Sequence, residues 1–501
     1  MARVTKSPGD QPSAPDARPG QDRLRQLLDN VAPAGWRNPT PPGTYDFVVI
    51  GAGPAGVAAA RAAAALGAKT ALIEQRRIGG DRLNVGDIPS KSLIRTARDY
   101  ADIRDAHRFG AEAPADLPAD FPRAMERMRR IQAHLSRGVA AARLAEEGVD
   151  VYFGAARFRS AAVVDVGDQS LPFAKALIAT GALPRTLPIP GLGESGYLTN
   201  ETVFDLTERP SRLLVIGGGP LGCELAQAFC RLGCHVILAQ DDPMFLPNEE
   251  RDAAQYLAHA LDKDGVEIHL NTTVVSVGRD GAHKSANLVT AGDRFSVTVD
   301  EILAGIGRAP NIENLDLEAA GVGYDPETGV HVDDRLRTSN RRVYAAGDVC
   351  MTHKFTHAAM AAGRLAVGNA LLRKRGRLSA LKIPWCTYTD PEIAHVGMYV
   401  RDARRNNIPV KTYTVLMHDV DRAVTDGEQD GFVKIHIRDG SDEILGATIV
   451  ARHAGEMIND LSLAITHRIG LSALADVIHA YPTQANAVKL AAVAFAHPRK
   501  M

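Results

Sequence analysis

Two six-residue phrases constrain this chain more than anything else in it: GAGPAG at Gly51 to Gly56 and GGGPLG at Gly217 to Gly222. Each follows a short apolar run that reads as a buried strand, DFVVI (Asp46 to Ile50) and RLLVI (Arg212 to Ile216). Each opens into a helical stretch, VAAARAAAALG and CELAQAFCRLG, and a second strand closes each unit, KTALIE ending at Glu74 and HVILAQ ending at Gln240. Strand, glycine turn, helix and parallel strand make a β-α-β unit, with the helix N-terminus aimed at whatever lies beyond the strand ends. Two such units so far apart imply domain duplication rather than a short-period repeat.

In the first unit Gly51, Gly53 and Gly56 satisfy G-x-G-x-x-G, the pattern that permits a tight turn, backbone approach to a pyrophosphate and close helix packing. Glu74 stands where a carboxylate can hold a ribose hydroxyl. The second unit places Gly217, Gly219 and Gly222 identically, but Gln240 occupies the acidic position. Asp241 and Asp242 follow and would repel a 2'-phosphate, while Arg231 and His235 are the nearest upstream cations, so NAD and NADP both remain open.

With 501 residues the chain exceeds one ordinary core and suits several domains. Its 58 basic residues nearly balance 59 acidic ones, which removes the footprint of a nucleic-acid binder. The five cysteines, Cys223, Cys230, Cys234, Cys350 and Cys386, form no framework and fit a reducing, cytoplasmic setting. No stretch offers the roughly 18 apolar residues of a membrane span. Residues 1 to about 20 are too polar and Pro/Gly-rich to order themselves. DRLRQLLDNV (Asp22 to Val31) has helical spacing and can pack on the body, and Ala124 to Gly148 reads as helical.

Four further segments, GGDRLNVGDIPSK (Gly79 to Lys91), ATGALP (Ala179 to Pro184), GIGRAPN (Gly305 to Asn311) and YAAGDV (Tyr344 to Val349), join the glycine units in one order. Together they resemble the FAD-dependent pyridine nucleotide-disulfide oxidoreductases from about Tyr45 to Phe495. NPTP, GGD, PWCTYTDPEIAHVG and ILGATIVARHAGEMI are most similar to the mercuric-reductase-like and dihydrolipoamide dehydrogenase-like branch.

The resemblance implies an α/β fold of two Rossmann-like domains, for FAD and NAD(P), plus a C-terminal α+β dimerisation domain. The expected division is 1–44 tail, 45–190 and 311–380 FAD domain, 191–310 NAD(P) domain and 381–501 interface domain of a homodimer. It further implies FAD contacts from Thr180, Gly181, Gly307 and the ribityl-binding Asp348. Lys91 and Glu224 match the family's ion pair at the flavin. Pro220 stands where glutathione reductase has a tyrosine lid.

The chain departs from the family where its thiol chemistry resides. The cysteines of GGxCLNxGCxPSK correspond to Arg82 and Asp87, and the histidine and glutamate of HxHPTxxE, donated by the partner subunit, to Tyr481 and Asn486. A guanidinium is no nucleophile and a carboxylate no soft metal ligand. Arg82 and Asp87 have two readings. In one they form a salt bridge replacing the disulfide, which the paired opposite charges favour. In the other Arg82 binds an anionic acceptor or steadies reduced flavin, with Asp87 a proton donor if burial raises its pKa. Tyr481 either packs at the dimer interface or bonds an acceptor. His353, His357 and His479 have no companions that suggest a metal, and Cys350 and Cys386 read as buried structural thiols.

The expected function is hydride passage from NAD(P)H to FAD and on to a small-molecule, non-disulfide acceptor: a quinone, a dye, dioxygen or an unidentified compound. Transhydrogenation between NADH and NADP and a non-catalytic flavin-binding role are the alternatives. Neither nucleic acid nor a membrane span enters the reading.

Overall fold

The computed structural model describes residues 21–112, 114 and 117–497. The tail expected to lack order, residues 1 to about 20, lies outside the described residues.

The first glycine unit builds a sheet in the order Val149–Phe153, Thr70–Glu74, Tyr45–Ile50, Gln169–Ile178, with Val343–Ala345 beyond the last. These five strands are parallel. Their unbroken apolar runs suit strands covered on both faces, and Phe47, Val48 and Val49 are fully buried. Gln169–Ile178 is long enough to serve two sheets. Its first half pairs antiparallel with Val163–Val166, and its second half runs parallel to Tyr45–Ile50.

The second unit makes a parallel sheet ordered Glu267–His269, His235–Ala239, Arg212–Ile216, Glu301–Ala304, beside a three-stranded antiparallel sheet spanning Thr272 to Val299. Pro54 and Pro220 each begin the helix after the glycine turn, where a missing N–H costs nothing. One apolar core joins the two halves: Leu93 and Phe121 of the first pack with Leu225 and Phe229 of the second.

The C-terminal part is an antiparallel sheet ordered Trp385–Thr387, Glu392–Gly397, Ile444–Ala451, Phe432–Arg438, Val410–Leu416. Ala454–His467 and Asn486–Ala496 bury their apolar faces in its core. Among the described residues no helix is long and apolar enough to cross a membrane.

The segment before Tyr45 packs as its spacing predicts. In the helix Gln21–Val31, Leu27 and Val31 join the first core, and the Val31 carbonyl accepts from Ile78 N at 3.0 Å. Asn38 exchanges two hydrogen bonds with the Phe153 backbone, at 2.9 and 2.8 Å, and so caps an otherwise open sheet edge. The expected helix over Ala124 to Gly148 is two, Phe121–Ser136 and Ala141–Glu146, parted by a tight turn at Arg137–Val139. Gly138 at that turn makes the break cheap.

Candidate active site

Both glycine turns open into one cleft of 2420 Å³, several times the roughly 300–1,000 Å³ of a pocket for one small ligand. A Cβ built on Gly56 would lie 1.8 Å from the Gly51 carbonyl oxygen, and one on Gly222 would lie 1.9 Å from that of Gly217. The middle glycines differ in kind. The nearest atoms to a Cβ on Gly53 or Gly219 are 3.9 and 3.8 Å away, so a side chain there would clash with nothing and instead fill the cleft. That free space beside a helix N-terminus is what a pyrophosphate needs, and it occurs twice.

The strand ends repeat the parallel. Ala52 N donates to Glu74 Oε2 at 2.8 Å, and Gly218 N donates to Gln240 Oε1 at 2.5 Å. Gln240 thus does with an amide what Glu74 does with a carboxylate: it holds the glycine loop in shape. Thr180 Oγ1 donates to the Asn311 carbonyl at 2.6 Å and Asn311 N to the Gly181 carbonyl at 3.0 Å. These bonds, with the pairing of Ala182–Pro184 to Arg308–Pro310, close the floor of the cleft next to Gly307.

Lys91 and Glu224 meet as expected. Lys91 Nζ lies 2.8 Å from Glu224 Oε2, and Glu224 is only 4% exposed. The other carboxylate oxygen accepts from Tyr388 N at 2.8 Å, while the Tyr388 ring lies 4.8 Å from the ammonium. Desolvation opposes the Lys91 charge, but Glu224, reinforced by Asp87, outweighs it and holds the ammonium above its ordinary pKa. The pair joins a helix of the first unit, Asp87–Arg104, to the glycine helix of the second, Pro220–Arg231, inside the shared cleft.

The expected Arg82–Asp87 salt bridge is absent. Asp87 opens the helix that carries Lys91, so the two stand at i and i+4, and its charge acts on Lys91 instead. Asp87 is also exposed, so the burial that its proton-donor reading called for is absent. Arg82 lines the cleft half-buried and forms no ion pair with any described residue.

Tyr481 is 71% exposed, does not line its own cleft, and its hydroxyl donates to Asp421 at 2.7 Å. Arg231 is locked between Asp264 and Asp390, each at 2.8 Å, and His235 faces Glu267 at 3.5 Å, so neither attends the second nucleotide site. All five cysteines are free. Cys350 and Cys386 are half-buried rather than fully buried, and Cys386 lines the cleft.

Residues 45–363 match the model of the pyridine nucleotide-disulphide oxidoreductase family, and residues 383–492 match that family's dimerisation domain. The chain belongs to this family. It is 32% identical over 487 residues to a mercuric reductase of Staphylococcus aureus, covering 95% of this chain and 89% of the relative. It is 35% identical over 460 residues to a dihydrolipoyl dehydrogenase of Thermus scotoductus, covering 90% and 97%. Among solved structures, LpdA from Mycobacterium tuberculosis superposes with a TM-score of 0.82 at 28% identity, covering 90% of this chain and 99% of that one. The HOCl-induced flavoprotein disulfide reductase RclA from Escherichia coli gives 0.78 at 27%, covering 89% and 98%.

The protein is therefore an FAD-dependent pyridine nucleotide oxidoreductase with a homodimerisation domain, and its two glycine cradles fit FAD and NAD(P)H. Inspection of the sequence missed the charge chain beside Asp348. Arg308 bonds Asp81 and lies 3.8 Å from Asp348, and burial raises both carboxyls above their ordinary pKa although Arg308 opposes it. The phrases GGD and GIGRAPN carried these residues, but nothing in a linear reading shows that they touch. Tyr388 was missed for a different reason: its backbone N–H, not its side chain, holds Glu224.

Proposed function

We propose that this oxidoreductase passes reducing equivalents from NAD(P)H to a small non-disulfide acceptor, such as a quinone, a dye or dioxygen, without a protein thiol. For a quinone the balance is NAD(P)H plus a proton plus quinone giving NAD(P)⁺ and hydroquinone. The observation that carries the reading is what stands in place of the family's thiols: Arg82 with no ion-pair partner among the described residues, and Asp87 exposed, one helical turn before Lys91. Bound FAD supplies the two-electron relay between donor and acceptor.

The residues divide by role on this reading. Gly217, Gly219, Gly222 and Gln240 seat the nicotinamide nucleotide. Glu224 fixes Lys91 so that its ammonium offsets negative charge arriving at the relay. Gly51, Gly53, Gly56, Glu74, Thr180, Gly181, Gly307 and Asp348 hold FAD. On the acceptor side, Arg82 offers a cation to a carbonyl or anionic group, Asp87 accompanies it, and Tyr481 of the partner subunit supplies a hydroxyl once released from Asp421. Asp241 and Asp242, both exposed beyond Gln240, favour NADH over a cofactor bearing a 2'-phosphate.

Anaerobic titration followed by an acceptor panel tests the proposal. NADH should bleach the flavin, and naphthoquinone or ferricyanide should reoxidise it with turnover. Turnover of lipoamide, glutathione disulfide or Hg(II) at rates matching the quinone would overturn it, as would a flavin that neither NADH nor NADPH reduces.

A further inference from the structure

One surface lies outside everything the cleft uses. Lys175, Arg341, Arg342, Arg373, Lys374 and Arg375 carry six positive charges, and among the described residues none of them forms an ion pair within 4.0 Å. All but Lys175 are exposed. Lys175 Nζ donates to the Arg341 carbonyl at 3.0 Å, and besides desolvation the cations of Arg342 and Arg373 push its pKa down, so these four are gathered in space, with Lys374 and Arg375 continuing the run from Arg373. The last acids before Arg341 are engaged elsewhere, Asp333 by Arg337 at 2.6 Å and Asp334 by Ser379 and Arg377. In a chain of net charge −1 this is a segregated patch rather than an excess.

The patch sits at the wrong end of the domain for electron transfer. Arg342 directly precedes Val343–Ala345, at the N-terminal edge of the parallel sheet, whereas the glycine cradles lie beyond the C-terminal ends. Arg373 to Arg375 follow the helix Thr356–Leu371, whose first residues line the cleft and whose 16 residues span about 24 Å. A redox protein docked here would be a helix length from the flavin site. Leu372, 48% exposed, stands between that helix and the three consecutive cations.

We infer that this patch docks the enzyme on an anionic phospholipid surface, with the six cations reading lipid phosphates and Leu372 entering the headgroup boundary. The side chains are long and largely unanchored, which suits mobile lipid charges better than the fixed pattern of an acidic protein. The inference is independent of the acceptor's identity.

Co-sedimentation of the FAD-loaded enzyme with phosphatidylcholine vesicles, with and without one quarter phosphatidylglycerol, tests it. Binding should require phosphatidylglycerol and vanish at high salt. The variant Arg373→Ser, Lys374→Ser, Arg375→Ser should bind about 100-fold more weakly while reduction by NADH stays at the parent rate. Leu372→Ser, which leaves the charges in place, should weaken binding severalfold. Absence of binding at low salt, equal binding to pure phosphatidylcholine, or an unchanged triple variant would each overturn the inference. Retention on an acidic protein resin without vesicle binding would overturn it in favour of a protein partner.

Discussion

Replacing Lys91 by methionine keeps most of the side chain's length and removes one charge from the lining of the cleft. The ammonium lies 2.8 Å from Glu224, a separation at which two unit charges attract by about 6 kcal/mol at an effective dielectric of about 20. Desolvation of Glu224 consumes much of that, and truncating one member of a buried pair costs about 3–5 kcal/mol because the other charge is stranded. The Lys91 side chain is 32% exposed, so water replaces part of the lost contact and the lower end, about 3 kcal/mol, applies. A preorganised cation at a centre that gains negative charge is worth about 10²-fold in rate. Lys91→Met should therefore retain FAD and be reduced by NADH about 100-fold more slowly in anaerobic stopped flow, followed by bleaching of the flavin band. Glu224→Gln keeps an acceptor for Tyr388 N, and its loss should be smaller, about tenfold. A Lys91→Met enzyme that keeps its flavin and is reduced within about threefold of the parent rate would refute the role assigned to the pair.

The two glycine cradles are separable by mutation. Gly222→Ala, whose Cβ would fall 1.9 Å from the Gly217 carbonyl, should leave a yellow protein whose KM for NADH rises at least about tenfold, whereas Gly56→Ala should purify without FAD; a colourless Gly222→Ala would contradict the assignment. Cofactor choice should favour NADH by about tenfold or more in kcat/KM, and Asp241→Ser with Asp242→Ser should narrow that ratio; equal efficiencies in the parent would remove both acids from the argument. Burial raises the Glu392 carboxyl to about 7, the Gly455 N–H at 3.0 Å and Arg98 opposing it only in part. An acid whose folded pKa is raised loses stability as pH climbs from the unfolded value of 4.5 through 7, a penalty on the order of 3 kcal/mol once complete. Glu392→Gln should therefore raise the urea midpoint near pH 8 and barely move it near pH 5, and equal shifts at both would exclude the titration.

Much of the architecture was legible because it is local. The strand–glycine–helix–strand grammar needs only neighbours in sequence, and so do Pro54 and Pro220 at the helix starts and the helix at Asp22 to Val31. The Lys91–Glu224 pair, 133 residues apart, became legible only through family resemblance, since no periodicity links the two.

What misled the linear reading was direction. Arg82 and Asp87 are five positions apart with opposite charge, which invites a salt bridge. A helix boundary at Gly86 separates them, so Asp87 belongs to the next helix with Lys91 and Arg82 is left to the cleft. Arg231 looked available to a 2'-phosphate until two buried carboxylates claimed it, and only the fold brings Lys175, Arg341 and Arg342 beside Arg373. The sequence by itself determined the duplicated nucleotide cradles and the absence of cysteine at positions 82 and 87, because backbone conformation and side-chain chemistry are properties of single residues and short spans. Only the tertiary structure decided which charges pair and which stand free, because Coulomb energy depends on distances that the folded chain alone sets.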